Sequence, residues 1–440
     1  MFYIEFFYVN LKIFNTFNMI SNKINSLISA FIVFGLLLGC SQAPADQDED
    51  YKNMSDAERL EAAKKMAQEF IMVDGHVDLP YRMKVGGFTL QREMLDVSER
   101  TDGGNFDYPR AKEGGLDAPF MSIYIPASYQ ENGGAKVFAD SLIKMTERIA
   151  HSWPDKFAMA YSPDDIKRNF EKGLISLPMG MENGAPLESD IANVKYYYDQ
   201  GIRYITLTHG KDNLIGDSSY DDAATHGGLS EYGEEVVLEM NRIGIMVDIS
   251  HVSDNTFYDV LEITSVPVIA SHSSARKFTP GFERNMDDDM IRKLAENKGV
   301  IMINFGGSFI DGDYQQKTSE VREHMVNWLA ENDLSRSDPE ARAYISEYTA
   351  KHNPFPDVTK VADHIDHVVS IAGIEYVGLG SDYDGVGDSL PTGLKDVSMY
   401  PNLIAELLKR GYKKSDIEKI CSGNIFRVWN AVEDYARQAG

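Results

Sequence analysis

The chain has 440 residues, 43% of them hydrophobic, enough for one large domain or two ordinary ones with a full core. Its formal net charge of −25 excludes a nucleic-acid-binding surface, which must be basic. Only two cysteines occur, Cys40 and Cys421, so there is no disulfide framework, and no repeat marks a solenoid.

In chain order the first feature is LISAFIVFGLLLG, residues 27–39, with Lys23 before it and Cys40 directly after. This mostly apolar stretch suits the core of an export signal and is shorter than the roughly 20 residues needed to span a bilayer. Its ending, Leu37-Leu38-Gly39-Cys40, resembles the bacterial lipoprotein cleavage box, in which the cysteine becomes the lipidated first residue. The expected organisation is a signal peptide over 1–39 (Met19 being an alternative start), a lipidated Cys40 with a polar tether over 40–60, and one folded domain over 61–440. The expected location is a bacterial cell envelope, exported and lipid-anchored, at the periplasmic or outer-membrane face.

Past residue 60, eight short apolar runs alternate with amphipathic stretches. The runs are IMVDGHVD (71–78), APFMSIYIP (118–126), GLISLPMGMEN (173–183), IRYITLTH (202–209), GIMVDISH (244–251), VPVIASHS (266–273), GVIMINFG (299–306) and YVGLGSDYDG (376–385). Each is of strand length, and several are almost continuously apolar, as strands covered on both faces are. Helices are expected over 230–244, capped by Ser230 and stopped at Gly244, and over 287–299, with acids first and lysine near the end. Another is expected over 358–373, and two C-terminal ones close the barrel. Eight strands alternating with helices is the count of an α/β fold of the (β/α)8 TIM-barrel type. The competing open doubly wound sheet lacks its usual GxGxxG or Walker loop here.

Polar residues recur at one place in these runs. Of ten histidines, His76, His209, His251 and His272 end β-runs, and Asp78, Glu182 and Asp382 sit likewise. His76 and Asp78 are two residues apart, so on a strand they point the same way. Barrel enzymes build their sites at the C-terminal strand ends, where such residues converge. Singly, His251 or His272 reads as a core histidine bonded to a carbonyl; six or seven at equivalent places do not. Imidazole with carboxylate suits zinc, and a carboxylate can bridge two ions that hold a hydroxide and polarise a carbonyl. There is no GxSxG elbow, and neither cysteine lies in a suitable place. His364 and His367, in ADHIDHVV, fall upstream of the last strand and are assigned to the outer layer; His151, His226, His324 and His352 are assigned to surface or loop positions.

The motifs DGHVDLP, GMENG, GIRYITLTH, VDISHVS, SHSSAR, ERNMDDD and GLGSDYDGV together resemble the membrane (renal-type) dipeptidases, peptidase family M19, from about residue 70 to 436. The resemblance implies a homodimeric, amidohydrolase-like barrel that cleaves free dipeptides, including those with a C-terminal D-residue, with two zinc ions per subunit. It implies that His76 and Asp78 bind one zinc, that Glu182 bridges, and that His251 and His272 complete the second site. It also implies that His209 contacts substrate and steadies the oxyanion, that Arg284 pairs with the dipeptide carboxylate, and that Asp382 is the acid/base. Asp384, its near neighbour, is given either a role supporting the site from behind or a turn role. Two departures are Asn183, where the family usually has glycine, and Ser381, in place of the second glycine before the catalytic aspartate. The alternatives are a metal amidohydrolase for carboxylated lactams or N-acyl amino acids, and a solute-binding lipoprotein without turnover; retention of Asp382 counts against the latter.

Overall fold

All eight expected strands form, and they close on themselves. The computed structural model describes residues 50–85 and 95–439, so the signal segment, Cys40 and the tether up to residue 49 lie outside the described residues. The barrel strands are β1 (Val73–Val77), β2 (Ala118–Tyr124), β3 (Met179–Glu182), β4 (Ile202–Thr206), β5 (Met246–Asp248), β6 (Ile269–Ser273), β7 (Val300–Ile303) and β8 (Val377–Leu379). Neighbours around the barrel are neighbours in sequence, every pairing is parallel, and β8 closes on β1. This is a TIM-type α/β barrel, with all C-terminal strand ends on one face. Burial explains the apolar runs: β1, β4 and β7 are buried at every residue.

The run 173–183, expected as one strand, is two. Ile175–Leu177 pairs with Phe157–Met159 in a separate two-stranded sheet, and only Met179–Glu182 enters the barrel. Pro178 lies between them and has no N–H for a ladder, although its carbonyl accepts from Met121 N–H at 2.8 Å.

The helices keep their sequence signals. The Ser230 hydroxyl accepts from Gly233 N–H (2.9 Å) at the start of α1 (Glu231–Ile243), which stops at Gly244 in the left-handed region. Asp287 caps α2 (Asp288–Glu296). Between β7 and β8 the chain makes a hairpin, α3 (Gly312–Glu331) and α4 (Pro339–His352), for which the sequence reading assigned no helices, and then α5 (Val358–Ile371). The C-terminal pair is α6 (Tyr400–Arg410) and α7 (Asn424–Ala439). Phe426, Trp429 and Val432 of α7 join the first residues of several strands, among them Val73, Met246 and Val300, in one apolar cluster. Each such buried side chain contributes about 1.5–3 kcal/mol. Helix α7 therefore plugs the N-terminal end of the barrel and leaves the opposite end for chemistry. No helix among the described residues is long and apolar enough to cross a membrane.

Candidate metal centre and catalytic pocket

The strand ends bring the sequence-selected donors to one point. His76 comes from β1, Asp78 from just past it, Glu182 from the end of β3 and His272 from β6. His209, His251 and Asp382 each lie three residues past β4, β5 and β8. Glu182 sits in the middle. Its Oε2 is 3.3 Å from His76 Nε2, and its Oε1 is 3.0 Å from His251 Nε2 and 3.3 Å from His272 Nε2. Asp78 Oδ2 lies 3.3 Å from His76 Nε2, and His76, Asp78 and Asp382 offer donor atoms within 4.8 Å of one another. His209 Nε2 is 3.5 Å from Glu182 Oε1, but its side chain is 23% exposed where the other histidines of the cluster are buried. It therefore faces the cavity rather than the interior.

The outward nitrogen of each imidazole is set by what holds its other side. Tyr204 donates its hydroxyl to Gly75 O (3.0 Å), so it accepts from His76 Nδ1–H (3.0 Å) and leaves Nε2 a bare lone pair. Ser271 donates to Asp248 Oδ2 (2.6 Å), so its oxygen accepts from His272 Nδ1–H (2.7 Å) and again frees Nε2. The Nε2 atoms of His251 and His272 are 2.9 Å apart. His76 Nε2 and Asp78 Oδ1 are buried without a hydrogen-bond partner. Converging lone pairs around a shared carboxylate cost free energy unless a cation sits among them. A Cβ on Gly385 would fall 2.2 Å from both Asp382 Oδ1 and Asp78 Oδ2, so glycine keeps the space between these carboxylates open. The donor set thus fits metal: His76, Glu182 and His272, then Glu182, His209 and His251, and then His76, Asp78 and Asp382 each bring three donor atoms within 4.8 Å of one another.

By the chain's own charges these groups are strongly perturbed. Burial pushes His251 and His272 well below the usual imidazole range, and Arg284 adds to this. Burial would raise Glu182, but His76, His209 and the bonds from His251 and His272 win and hold its carboxyl well below the carboxylate range. Burial pushes Asp382 well up, helped by Asp78 and Glu182, against His76 and the bond from Asn304 Nδ2 to Oδ2 (2.8 Å).

Other residues brace the site. Asp74 accepts from His76 N–H (2.9 Å), Ser381 N–H (3.0 Å) and the Tyr400 hydroxyl, tying β1 to the loop that carries Asp382. Asp248 accepts from Ser250 N–H, Ser271 N–H and the Thr206 hydroxyl as well as from Ser271 Oγ. The sequence reading did not select Asp74, Tyr204, Asp248 or Ser271. For Asp74 and Asp248 a signal was present, because a strand buried throughout has no reason to hold a carboxylate unless it holds something in place. Arg284 is buried against β6, its Nη1 donating to Ser273 Oγ (2.6 Å) and its Nη2 to His272 O (2.7 Å), while Nε has no partner. Asp384 occupies a turn, paired with Arg82 (2.7 Å) and accepting from Asn105 N–H. His364 and His367 stay outside the site, as their position before β8 implies. His364 Nδ1 accepts from Ala275 N–H (2.9 Å), and His367 pairs with Asp288 (2.8 Å).

A family model described as membrane dipeptidase (peptidase family M19) matches residues 60–440. The chain belongs to this family. It is a metallopeptidase of the dipeptidase type. A dipeptidase of Claviceps purpurea (strain 20.1), tcpJ, is 35% identical over 374 residues, 82% of this chain and 77% of that protein. Among solved structures, the probable dipeptidase PvdM of Pseudomonas aeruginosa aligns with TM-score 0.73 at 23% identity, over 86% of this chain and all of that one. A Rhodobacter sphaeroides metallopeptidase, liganded with a phosphinate mimic of the dipeptide L-Ala-D-Ala, aligns with TM-score 0.67 at 22% identity, over 82% of this chain and 99% of that one. At such identities the two structural likenesses speak for the shared barrel fold alone.

Proposed function

We propose that this dipeptidase uses two zinc ions to hydrolyse the peptide bond of free dipeptides, those with a C-terminal D-residue included. The observation that carries the proposal is Glu182, whose two oxygens face two separate sets of donors. His76 and Asp78 would hold one ion, His251 and His272 the other. All-nitrogen-and-oxygen donors rich in imidazole favour zinc. The chemistry the pair supplies when bound is activation of water at neutral pH and polarisation of the scissile carbonyl.

The chain's own groups do the rest. Asp382 takes a proton from the attacking water and passes it to the leaving amine, while Asn304 fixes one of its oxygens and leaves the other for the transfer. His209, at the cavity wall, steadies the oxygen that gains charge as the carbonyl becomes tetrahedral. Arg284 keeps N–H groups beyond those bound by Ser273 and His272, and these receive the substrate's terminal carboxylate. The phosphinate dipeptide mimic bound by the Rhodobacter relative supports the inclusion of D-residues. The proposal extends to a homodimer, exported and anchored by lipid on Cys40, supported by the Leu37–Cys40 box and the family resemblance. An unmodified Cys40 in the mass spectrum of the native protein would remove the anchor.

The test is hydrolysis of matched dipeptides ending in L-Ala and D-Ala, by protein lacking residues 1–40, with and without chelator. Chelator-sensitive release of free amino acids is expected from both. No release by zinc-replete protein would overturn the proposal.

A further inference from the structure

A cavity of ≈ 610 Å³ opens over Glu182, His209 and Asp382, and part of its wall is α3. It is larger than a dipeptide of small residues needs, so side chains have room in it. Two arginines line it, Arg82 and Arg322. The charge of Arg82 is already committed: its Nη1 lies 2.7 Å from Asp384 Oδ2, and Asp384 is wholly buried. Arg322 forms no ion pair or hydrogen bond among the described residues, its sequence neighbours Glu320 and Glu323 included.

Its position on α3 is what gives this weight. Tyr314, Thr318, Arg322 and Met325 follow one another at helical spacing and form a single stripe. Tyr314 and Met325 are the buried residues of this helix, Thr318 is half-buried and Arg322 is exposed, so the stripe is packed at its two ends and open to solvent at Arg322. Thr318 and Arg322 both line the cavity. The helix is fixed at this level, because Thr318 Oγ1 donates to Tyr314 O (2.8 Å) and accepts from Asn353 Nδ2 (2.7 Å). An exposed arginine at the rim of the substrate cavity, on a braced helix and without a carboxylate partner among the described residues, is placed to receive an anion entering that cavity.

We infer that Arg322 is a specificity-determining residue that favours dipeptides with an acidic side chain, its guanidinium pairing with that carboxylate while Arg284 takes the terminal one. The inference rests on the dipeptidase reading above. Its test uses isosteric pairs, L-Glu-L-Ala against L-Gln-L-Ala and L-Ala-L-Glu against L-Ala-L-Gln, with L-Ala-L-Ala as the activity control for the wild type. In one pair, the wild type should favour the glutamate form by about five- to tenfold in kcat/KM, as a partly solvated charge-assisted contact allows. R322Q should bring that ratio to near one, with the change in KM rather than kcat. R322K should restore part of it, and R322E should favour a lysine dipeptide instead. A merely structural role for Arg322 would move all substrates together. Hydrolysis of L-Ala-L-Ala with a wild-type ratio near one in both pairs, or a ratio kept in R322Q, overturns the Arg322 assignment alone. No hydrolysis of any dipeptide overturns the dipeptidase reading and this inference with it.

Discussion

Ser271→Ala isolates one link of the support beneath the donors. Among the described residues the hydroxyl is the only acceptor for His272 Nδ1–H and one of four donors to Asp248. Its loss leaves Asp248 held by Thr206 and by two backbone N–H groups, so that carboxylate stays satisfied. His272 instead keeps a buried N–H without an acceptor, which costs about 1–3 kcal/mol. It also loses the bond that fixes its ring and raises its basicity. Outer partners of this kind are worth about 10–100-fold in metal affinity, or roughly 1.4–2.7 kcal/mol. The loss should fall on the His251–His272 side of Glu182. Tyr204→Phe, which removes the acceptor for His76 Nδ1–H, should by the same logic weaken the other side. The assay is zinc bound per chain across a series of chelator-buffered zinc concentrations, which separates the two affinities. Wild-type affinities in S271A, or an equal fall of both, would refute the reasoning.

Asp382→Asn keeps the shape and the contact with Asn304 but cannot carry the proton; zinc content should stay at wild type while kcat falls by about 10²–10⁴. Asn183 sits at φ 77° and makes four bonds, from Nδ2 to Ile125 O and Gln130 and to Oδ1 from Ala185 N–H and Asn213. Asn183→Gly and Asn183→Ala should both destabilise, the alanine by about 1–2 kcal/mol more, because only glycine takes that φ freely; equal denaturation midpoints would contradict this. His364 is pushed down to about 4, chiefly by burial. Its folded value lies below the unfolded one, so the unfolded chain alone takes up a proton as pH drops beneath about 6.5, and stability is lost from there towards 4. In chelated protein, the unfolding free energy from urea titration should fall by about 2 kcal/mol more in the wild type than in His364→Gln between pH 7 and 5; parallel slopes would remove His364 as the cause.

The barrel and its donors were legible because two independent patterns coincide. Strands buried on both faces write themselves as apolar runs, and the residues that break those runs are the ones aimed into the site. Where a second pattern was missing, reading failed. Pro178 divides an apolar run whose halves enter different sheets, and only pairing partners far away in sequence reveal that. Helices α3 and α4 bury little, essentially Tyr314, Met325 and Ala341, so they lack a strong apolar stripe. Rings meeting across the hairpin hold them together, with Trp328 stacked on Tyr344 and His324 on Tyr348 at 4.0 Å each. Such contacts depend on how two helices are set against each other. Tyr204 and Ser271 were hidden differently: in a strand they look like ordinary residues, and their role exists only through the histidines they hold.

The backbone at the site bears on how the metal centre forms. His251, Asp382, Asp384 and Asn183 all lie in the left-handed region, at φ 69°, 62°, 68° and 77°. A non-glycine residue there costs about 1–2 kcal/mol. Each is held by protein contacts. The carbonyl of His251 accepts from Ser219 N–H (2.9 Å), Ser219 Oγ (3.1 Å) and Thr208 Oγ1 (3.2 Å). Asp382 N–H donates to His76 O (3.1 Å), Asp384 is gripped by Arg82 and Asn105, and Asn183 by its four bonds. Strain of this kind persists only where the surroundings over-determine it. Contacts of this kind should hold the donors in place without an ion, unlike small metal domains whose folding is the binding event. Removal of metal should abolish turnover yet leave far-ultraviolet circular dichroism unchanged and unfolding cooperative, with only the ligand-linked part of the melting temperature lost. A chelated chain that unfolds without a cooperative transition would mean that the metal builds this site.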